Sequence, residues 1–347
     1  MSKEKTNSNS KLHKANKVKN DEFYTQLVDI EKELKHYKEQ FKNKVVYCNC
    51  DDPFESNFFK YFASNFKALK LKRLIATSYK PSPIANTQLG LFGDDKTLEP
   101  VKGRPKTNAN KFIINDVSDI DGDGAFDLRD ISEQLKANKN NEWSPMESDG
   151  DFRSPESIEL LKQADIVVTN PPFSIFREYI SQLVEYDKKF LIIGNINAIT
   201  YKEVFPLIKE NKLWLGYNCA RWFFTPDGNL FEAARSYWYT NLDTTKRHEK
   251  LTLYKKYTSS EYPKYDNYEA IEVSKVYEIP VDYKKVMGVP VTFLDKWNPD
   301  QFEIIGMAED NGKGMSGGIW DGKNPHCVIN GQNKFKRIFI KNIEPKK

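Results

Sequence analysis

Short apolar runs alternate with segments of helical periodicity through the first 240 residues of the chain. The runs at 44–50, 71–79, 112–114, 164–169 and 190–195 have the length and composition of buried strands. Apolar residues recur at helical spacing in the segments 27–41, 54–62, 155–163, 175–184 and 204–208. This alternation predicts a Rossmann-like α/β sheet, in which loops at the carboxyl ends of strands line a ligand crevice.

The run at 164–169 ends in Asn170-Pro171-Pro172-Phe173, and the prolines prevent the strand from continuing. An amino group on a nucleobase is a poor nucleophile because its lone pair is delocalised into the ring. The Asn170 side-chain oxygen and the Pro171 carbonyl could accept hydrogen bonds from that amine and favour its pyramidal form. Phe173 could stack on a base rotated out of a duplex. A strand-ending turn with a core phenylalanine is the alternative interpretation.

The composition is that of an ordinary globular protein, with 39% hydrophobic and 29% charged residues in 347. No apolar run approaches the roughly 18 residues of a membrane span. The first residues carry no apolar signal segment, so we expect a cytoplasmic protein. The four cysteines are spaced neither as a disulfide framework nor as paired zinc ligands, and reduced thiols are expected.

The net charge of +4 is uneven along the chain. Residues 1–20 and residues 334–347 each carry +5, so the residues between them carry −6. Basic ends suit contact with phosphate groups. Residues 1–20 contain almost nothing to bury and are predicted to be a disordered basic tail, for which a solubilising role is favoured.

Residues 241–347 differ in character, with many tyrosines, short strands and Gly/Asn turns. The runs 246–250 and 334–337 combine basic and aromatic residues, as a DNA-facing surface does, although solvated faces explain charge runs more often. Before this region, 213–217 and 220–225 are predicted to form a hairpin pair, with a turn at 226–228.

Two other loops carry candidate chemistry. The loop after the first strand has no Gly-x-Gly and contains Cys48-Asn49-Cys50-Asp51-Asp52 instead. Asp51 and Asp52 are candidate partners of an ammonium group or ribose hydroxyls, or alternatively helix caps. The segment 119–130 resembles a calcium loop, but it ends in Asp and follows a strand, so a stray acidic turn is favoured and no metal is expected.

Three motifs together resemble amino-group methyltransferases that use S-adenosylmethionine. Asn-Pro-Pro-Phe after an apolar strand is similar to their catalytic motif. Phe23-Tyr24-Thr25 before a helix resembles the motif that holds the methionine end of the cofactor, although packing explains many such aromatic pairs. Gly150-Asp151-Phe152 resembles the motif whose aspartate hydrogen-bonds the adenine amino group of the cofactor, with a plain helix N-cap at Asp151 or Ser154 as the alternative.

The chain as a whole resembles the adenine-specific modification methylases of the EcoRI type. The resemblance implies a seven-stranded methyltransferase sheet with its last strand antiparallel. It implies a catalytic domain over 21–240, with insertions at 80–148, and a target-recognition region over 241–347 packed on it. The implied reaction is methyl transfer from S-adenosylmethionine to N6 of a flipped adenine in duplex DNA. The resemblance also implies an aromatic residue on the opposite face of the base, for which Trp222, Phe223 and Phe224 are candidates.

The implied partner is double-stranded DNA, and a cognate restriction endonuclease could share the target sequence. We expect a monomer. Two alternatives stay open from the sequence. One is a methyltransferase acting on RNA adenine or on a protein glutamine. The other is a catalytically dead DNA-binding relative, which the missing glycines would suit.

Overall fold

The computed structural model describes residues 24–50, 56–79, 109–117, 140–224, 229–309 and 314–344. Within these ranges the chain divides into two compact units. The first draws on Met1–Ala198 and Asn218–Leu242, and the second on Ile199–Tyr217 and Asp243–Lys347. No helix in the described ranges is long and apolar enough to cross a membrane.

A single large sheet contains nine strands. These are β1 (Tyr24–Thr25), β2 (Val45–Cys48), β3 (Arg73–Thr77), β4 (Asn110–Ile114), β5 (Glu142–Pro145), β6 (Ile166–Thr169), β7 (Lys189–Asn195), β8 (Trp214–Phe224) and β9 (Leu230–Thr240). Their order across the sheet is β1-β8-β9-β7-β6-β2-β3-β4-β5. The helices among them are α1 (Leu27–Leu34), α2 (Asn57–Ser64), α3 (Pro155–Gln163), α4 (Phe176–Glu185) and α5 (Phe205–Lys209).

The centre of the sheet is parallel, in the order β3-β2-β6-β7. All residues of β2 and β6 are buried, as expected for strands covered on both faces. Between them in sequence, α3 begins where predicted, because Pro155 occupies its first turn and the Ser154 hydroxyl accepts a hydrogen bond from Ser157 N–H. The predicted α/β fold is therefore confirmed.

The sheet has nine strands where seven were expected, because β1 and β5 extend its two edges. β9 runs antiparallel to β7, as the resemblance implied. β4 is also antiparallel to its neighbour β3.

The predicted hairpin between 213–217 and 220–225 is wrong, since 214–217 and 220–224 lie in one continuous strand, β8. The buried carboxylate of Glu33 accepts hydrogen bonds from the backbone N–H of Asn218 (2.8 Å) and from its side-chain amide (2.9 Å). These bonds hold the chain at Asn218-Cys219 extended, within β8. The strand that follows β8 in the sequence is β9, beyond 225–228, and these four residues lie outside the described ranges.

The second unit contains a four-stranded sheet in the order β10-β11-β15-β12. Its strands are β10 (Ile271–Glu272), β11 (Met287–Pro290), β12 (Phe302–Met307) and β15 (Arg337–Asn342), and β13 (Val328–Ile329) pairs with β14 (Gln332–Asn333) in a separate hairpin. Arg337 and Glu272 form a buried ion pair across this sheet, with a closest N–O distance of 2.6 Å. Tyr265 donates a hydrogen bond to the same carboxylate. A buried pair satisfied in this way costs several kcal/mol to break on one side only, so it anchors both strands.

Most cations of the charge run 246–250 have partners within the second unit. Lys246 Nζ lies 2.6 Å from Asp295 Oδ1, and the Arg247 guanidinium lies 3.5 Å from the centre of the Trp214 ring. Lys250 pairs with Glu344 at 2.6 Å. These contacts favour a structural role for the run over the predicted DNA-facing one.

Candidate active site

The site is formed at one edge of the sheet, because parallel strands end on the same side. β2, β3 and β6 end there, so Asn49, Ser78 and Asn170 follow three neighbouring strands. The loop of Gly150 lies against the end of β3. A Cβ atom on Gly150, whose φ is +81°, would lie 2.0 Å from the Ser78 carbonyl oxygen. Only glycine allows that approach.

The Asn-Pro-Pro-Phe loop is compact and well held. Asn170 is 5% exposed, and Pro171 is also buried. Pro172 accepts a hydrogen bond from Ile175 N–H (3.2 Å), which closes a 3-10 turn over Phe173–Ile175. α4 begins directly after this turn, so the predicted order of strand, rigid loop and helix is confirmed.

Two distant segments meet beside this loop. β1 pairs with β8 so that Tyr24 lies opposite Phe224 and Thr25 opposite Phe223. The Phe223 ring is fully buried and edge-on to Phe173, with 6.3 Å between ring centres and an interplanar angle of 88°. The structure thus brings the predicted cofactor motif, one predicted substrate-binding residue and the predicted catalytic loop together. The Phe224 side chain lies outside the described part of the chain.

Thr25 has the surroundings of a ligand-binding residue. Its carbonyl accepts a hydrogen bond from the Asn57 side chain at the start of α2 (2.8 Å). Its hydroxyl is buried and has no hydrogen-bond partner among the described residues. A buried hydroxyl of this kind costs about 1–3 kcal/mol unless something binds it. The structure therefore leaves a polar group for a ligand where the sequence placed the methionine end of the cofactor, while Phe23 lies outside the described ranges.

Asp151 is partly buried and held by a neighbouring cation. Arg153 donates to both of its carboxylate oxygens, at 2.9 and 2.7 Å, and also pairs with Glu178. The hydrogen bonds from Arg153 lower the pKa of Asp151, so the group is ionised at neutral pH. Phe152 beside it is buried and packs edge-on against Tyr179, 5.1 Å between ring centres. The alternative N-cap role belongs to Ser154. The candidate residues Asp51 and Asp52 lie outside the described ranges. The acidic segment 119–130 also lies outside them.

Sequence reasoning missed two buried hydrogen bonds to Asn49 that cross the site. The Thr169 hydroxyl donates to the Asn49 carbonyl, and the Tyr179 hydroxyl donates to the Asn49 side-chain oxygen. Burial raises the pKa of Tyr179 well above its usual value, so the hydroxyl keeps its proton. In the sequence, Tyr179 counted only as one apolar position of the predicted helix 175–184. The polar residue that follows each strand was the signal that could have indicated these hydrogen bonds. These bonds connect Asn49, at the end of β2, to Thr169, directly before Asn170, and to Tyr179 of α4.

The missing glycines have a structural replacement. Cys50 has φ +77°, the left-handed conformation that glycine adopts most readily. Cys50 thus supplies, directly after β2, a backbone conformation that glycine usually provides, while 51–55 lie outside the described ranges. A separate cavity of about 550 Å³ lies at the opposite edge of the sheet, beside Lys44, Asp165 and Lys188, and is not formed by any motif residue.

Tyr179→Phe is expected to lower kcat roughly fivefold, because the lost buried hydrogen bond is worth about 1 kcal/mol and its loss loosens Asn49, which is bonded to the residue directly before Asn170. KM for the cofactor should change less than kcat. Steady-state kinetics at fixed DNA measures both. Tyr186→Phe, at the other end of α4, is the matched control and should match the unaltered protein. An equal rise in KM with unchanged kcat would contradict a positioning role.

The centre of the sheet is parallel, and a loop of one carboxamide, two prolines and an aromatic ring lies at its carboxyl edge. A buried threonine and an aspartate held by arginine lie beside that loop. This arrangement is typical of a methyltransferase of the α/β class. The chain belongs to a family described as adenine-specific methyltransferase EcoRI, which it matches over residues 11–343. It is therefore an adenine-specific DNA methyltransferase acting at specific sites, and the prediction from the sequence is confirmed.

Relatives match along nearly the full chain. It is 48% identical over 356 aligned positions to the type II methyltransferase M.EcoRI of Escherichia coli, covering 96% of this chain and 97% of the relative. It is 38% identical over 315 positions to the type II methyltransferase M.MpnI of Mycoplasma pneumoniae, covering 85% and 84%. M.MgeORF184P of Mycoplasma genitalium is 36% identical over 316 positions, covering 85% of each. No solved structure matches the chain.

Proposed function

We propose that this enzyme transfers a methyl group from S-adenosylmethionine to N6 of an adenine rotated out of duplex DNA, at one target sequence. The observation that supports this most is the convergence of three separate segments at the carboxyl edge of the sheet. Thr25 lies opposite Phe223 in the β1–β8 pair, and the Phe223 ring contacts Phe173 of the catalytic loop. Donor and acceptor would then be held side by side.

The residues present fit S-adenosylmethionine. The buried Thr25 hydroxyl can take a hydrogen bond at the methionine end, and the ionised Asp151 can accept one from the adenine amino group. Oδ1 of Asp151 accepts from both the backbone N–H and the Nε of Arg153, so the acceptor for the adenine amine is Oδ2, which has a second lone pair beyond the one that Arg153 Nη2 uses. Tyr24 and Phe152 line the same segments, and roles for Phe23, Asp51 and Asp52 remain predictions. When bound, the cofactor supplies an electrophilic methyl group on its sulfonium.

The chain's own residues prepare the amine. The Asn170 carboxamide oxygen and the Pro171 carbonyl oxygen accept its two N–H groups, which localises the nitrogen lone pair. Both acceptors are held in a buried, rigid loop and need no rearrangement as charge develops. Pro172 fixes the turn into Phe173, whose half-exposed ring stacks on the base.

The opposite face of the base has three candidates on β8, Trp222, Phe223 and Phe224. Phe223 is fully buried and supports Phe173 edge-on, so a flat stack would need one of these rings to turn. Trp222 is 41% exposed on the same strand, and Phe224 follows Phe223 at its end. A direct contact between Phe223 and the base remains a prediction. In the observed geometry Phe223 packs against Phe173 and supports it.

We keep the expectation of a cytoplasmic monomer, because one protomer carries all the predicted motifs. We keep 241–347 as the target-recognition region. A restriction endonuclease sharing the target sequence would be a genetic partner without needing a binding surface on this chain.

The test is incubation of the purified protein with tritiated S-adenosylmethionine and mixed-sequence duplex DNA, followed by mapping of the modified bases. We expect label at N6 of adenine within one short sequence. Parallel reactions with RNA and with glutamine-containing protein address the other methyltransferase activities. Label only in those reactions, or titration heat with cofactor but no transfer to any substrate, would overturn the proposal.

A further inference from the structure

One arginine side chain joins the loop of Asp151 to the helix that follows the catalytic loop. Arg153 Nε and Nη2 donate to the two carboxylate oxygens of Asp151, at 2.9 and 2.7 Å. The third nitrogen, Nη1, donates to the Glu178 carboxylate in the first turn of α4 (2.7 Å). All three nitrogen atoms of the guanidinium therefore bind carboxylates, and two of them bind the one proposed to accept the cofactor adenine.

These contacts determine which oxygen of Asp151 is open to a ligand. Oδ1 accepts from the backbone N–H of Arg153 (2.8 Å) as well as from its Nε. Oδ2 accepts from Nη2 and keeps a second lone pair. A planar guanidinium that binds both oxygens also fixes the plane of the carboxylate, which a single ammonium group cannot do. The direction of the open lone pair of Oδ2 therefore follows from the position of Arg153.

The same loop contacts α4 at two further points. The Gln182 side-chain amide donates to the Phe152 carbonyl (3.2 Å), and the Phe152 ring packs edge-on against Tyr179. Glu178, Tyr179 and Gln182 lie on one side of the helix, because residues three and four apart are neighbours on its surface. α4 begins directly after the turn that carries Phe173, so one helix supports both the catalytic loop and the loop of Asp151.

Three charges share this contact. Arg153 and Glu178 are both exposed, and an isolated ion pair on the surface contributes little to stability. Here one guanidinium lies between two carboxylates and binds Asp151, which is 20% exposed, through two bonds. The bonds to Asp151 raise the pKa of Arg153, so the cation stays charged at neutral pH. Because a bidentate pair adds geometric specificity, the network orients Asp151 more than it stabilises the fold.

We propose that Arg153 is a positioning residue for the cofactor adenine: held by Glu178 of α4, it orients the Asp151 carboxylate so that Oδ2 accepts the adenine amino group. This inference deepens the proposed function and rests on Asp151 as the residue that recognises the adenine. It gives Arg153 and Glu178 a role without contact to the reacting atoms. Adenine recognition then depends on the position of α4, the helix that also supports the catalytic loop.

The test is calorimetric titration with S-adenosylhomocysteine and with its deaminated analogue S-inosylhomocysteine, in which a carbonyl oxygen replaces the amino group. The unaltered protein should prefer the adenine form. Arg153→Met should raise Kd for S-adenosylhomocysteine roughly tenfold, the lower end of what a hydrogen bond to a charged group contributes, and should change Kd for the analogue much less. A merely structural role would weaken both alike. Arg153→Lys, which keeps the charge without the planar guanidinium, should resemble Arg153→Met.

Glu178 acts through Arg153 in this proposal. Glu178→Ala should raise Kd for S-adenosylhomocysteine about two- to threefold, the contribution of an exposed ion pair, and should add nothing further when combined with Arg153→Met. Glu159→Ala is the matched control, because Glu159 is similarly exposed on α3 and lies 2.6 Å from Lys162. It should bind both ligands as the unaltered protein does.

In steady-state kinetics, KM for S-adenosylmethionine should rise with Arg153→Met more than kcat falls. Equal Kd values for Arg153→Met and the unaltered protein, or an equal rise for the two ligands, would overturn the role of Arg153. An unaltered protein that binds both ligands alike would overturn it too. If the unaltered protein binds the cofactor but methylates no adenine, the proposed function fails, and the comparison of the two ligands still decides the role of Arg153.

Discussion

Asn170→Ala is expected to remove methyl transfer while leaving S-adenosylmethionine binding unchanged. The carboxamide oxygen is one of two acceptors proposed for the amine, and it sits in a buried loop where an acceptor is not replaced by water. Losing one prearranged electrostatic contact of this kind costs about 10²–10³ in rate. Single-turnover transfer of tritiated methyl to the mapped duplex measures the rate, and calorimetric titration measures cofactor affinity.

The control for this prediction is Asn65→Ala, which also removes a carboxamide from the first unit. The Asn65 side-chain amide donates to the Tyr61 carbonyl in the last turn of α2 (2.8 Å). It should cost about 1 kcal/mol of stability and leave the rate per folded molecule intact. Near-normal transfer by Asn170→Ala, with a melting temperature like that of the unaltered protein, would remove Asn170 from the catalytic assignment.

The elements around Asn170 were predictable because each depends on local sequence. Two prolines after an apolar run must end a strand, and Pro155 after Ser154 must begin a helix. Both expectations are met at the residues predicted. The charge of Asp151 and its placement before α3 were equally local. The methyltransferase family followed from the same short motifs.

What sequence reasoning could not supply is the pairing of distant segments. The register that sets Thr25 opposite Phe223 depends on which strand lies at the sheet edge, and nothing in either segment specifies its partner. The hairpin error at 213–225 has the same origin, since Glu33 far away in the sequence decides the path at Asn218. Tyr179 was unrecognised because a tyrosine at a core helix position looks the same whether or not its hydroxyl is used.

Charge runs were the least predictable feature. Lys246 and Arg247 are held by Asp295 and Trp214, and Arg337 at the end of the second run is paired with Glu272. Both runs combine basic and aromatic residues in sequence. Only the folded structure shows that these cations have intramolecular partners.

Gly150→Ala is expected to weaken S-adenosylmethionine binding by at least about tenfold. At φ +81° an alanine costs roughly 1–2 kcal/mol, and its Cβ would also lie 2.0 Å from the Ser78 carbonyl oxygen and 2.8 Å from Ala109 Cβ. Because the Ser78 contact is with backbone, the loop itself must move away from the end of β3. That movement displaces Asp151, the residue proposed to hold the cofactor adenine.

Gly318→Ala separates the two causes. Gly318 has φ +84°, and nothing lies within 4 Å of a Cβ built there, so an alanine carries the conformational cost without the clash. Both variants carry a similar conformational cost, and Gly150→Ala should lose further stability in a thermal melt through its clash. Only Gly150→Ala should raise the cofactor Kd, measured by calorimetric titration, and Asp151→Asn should weaken binding in the same direction without the loss of stability that strain causes. If Gly150→Ala bound the cofactor as Gly318→Ala does, the 150–152 loop would have no part in cofactor recognition, because its displacement is unavoidable once the Cβ is present.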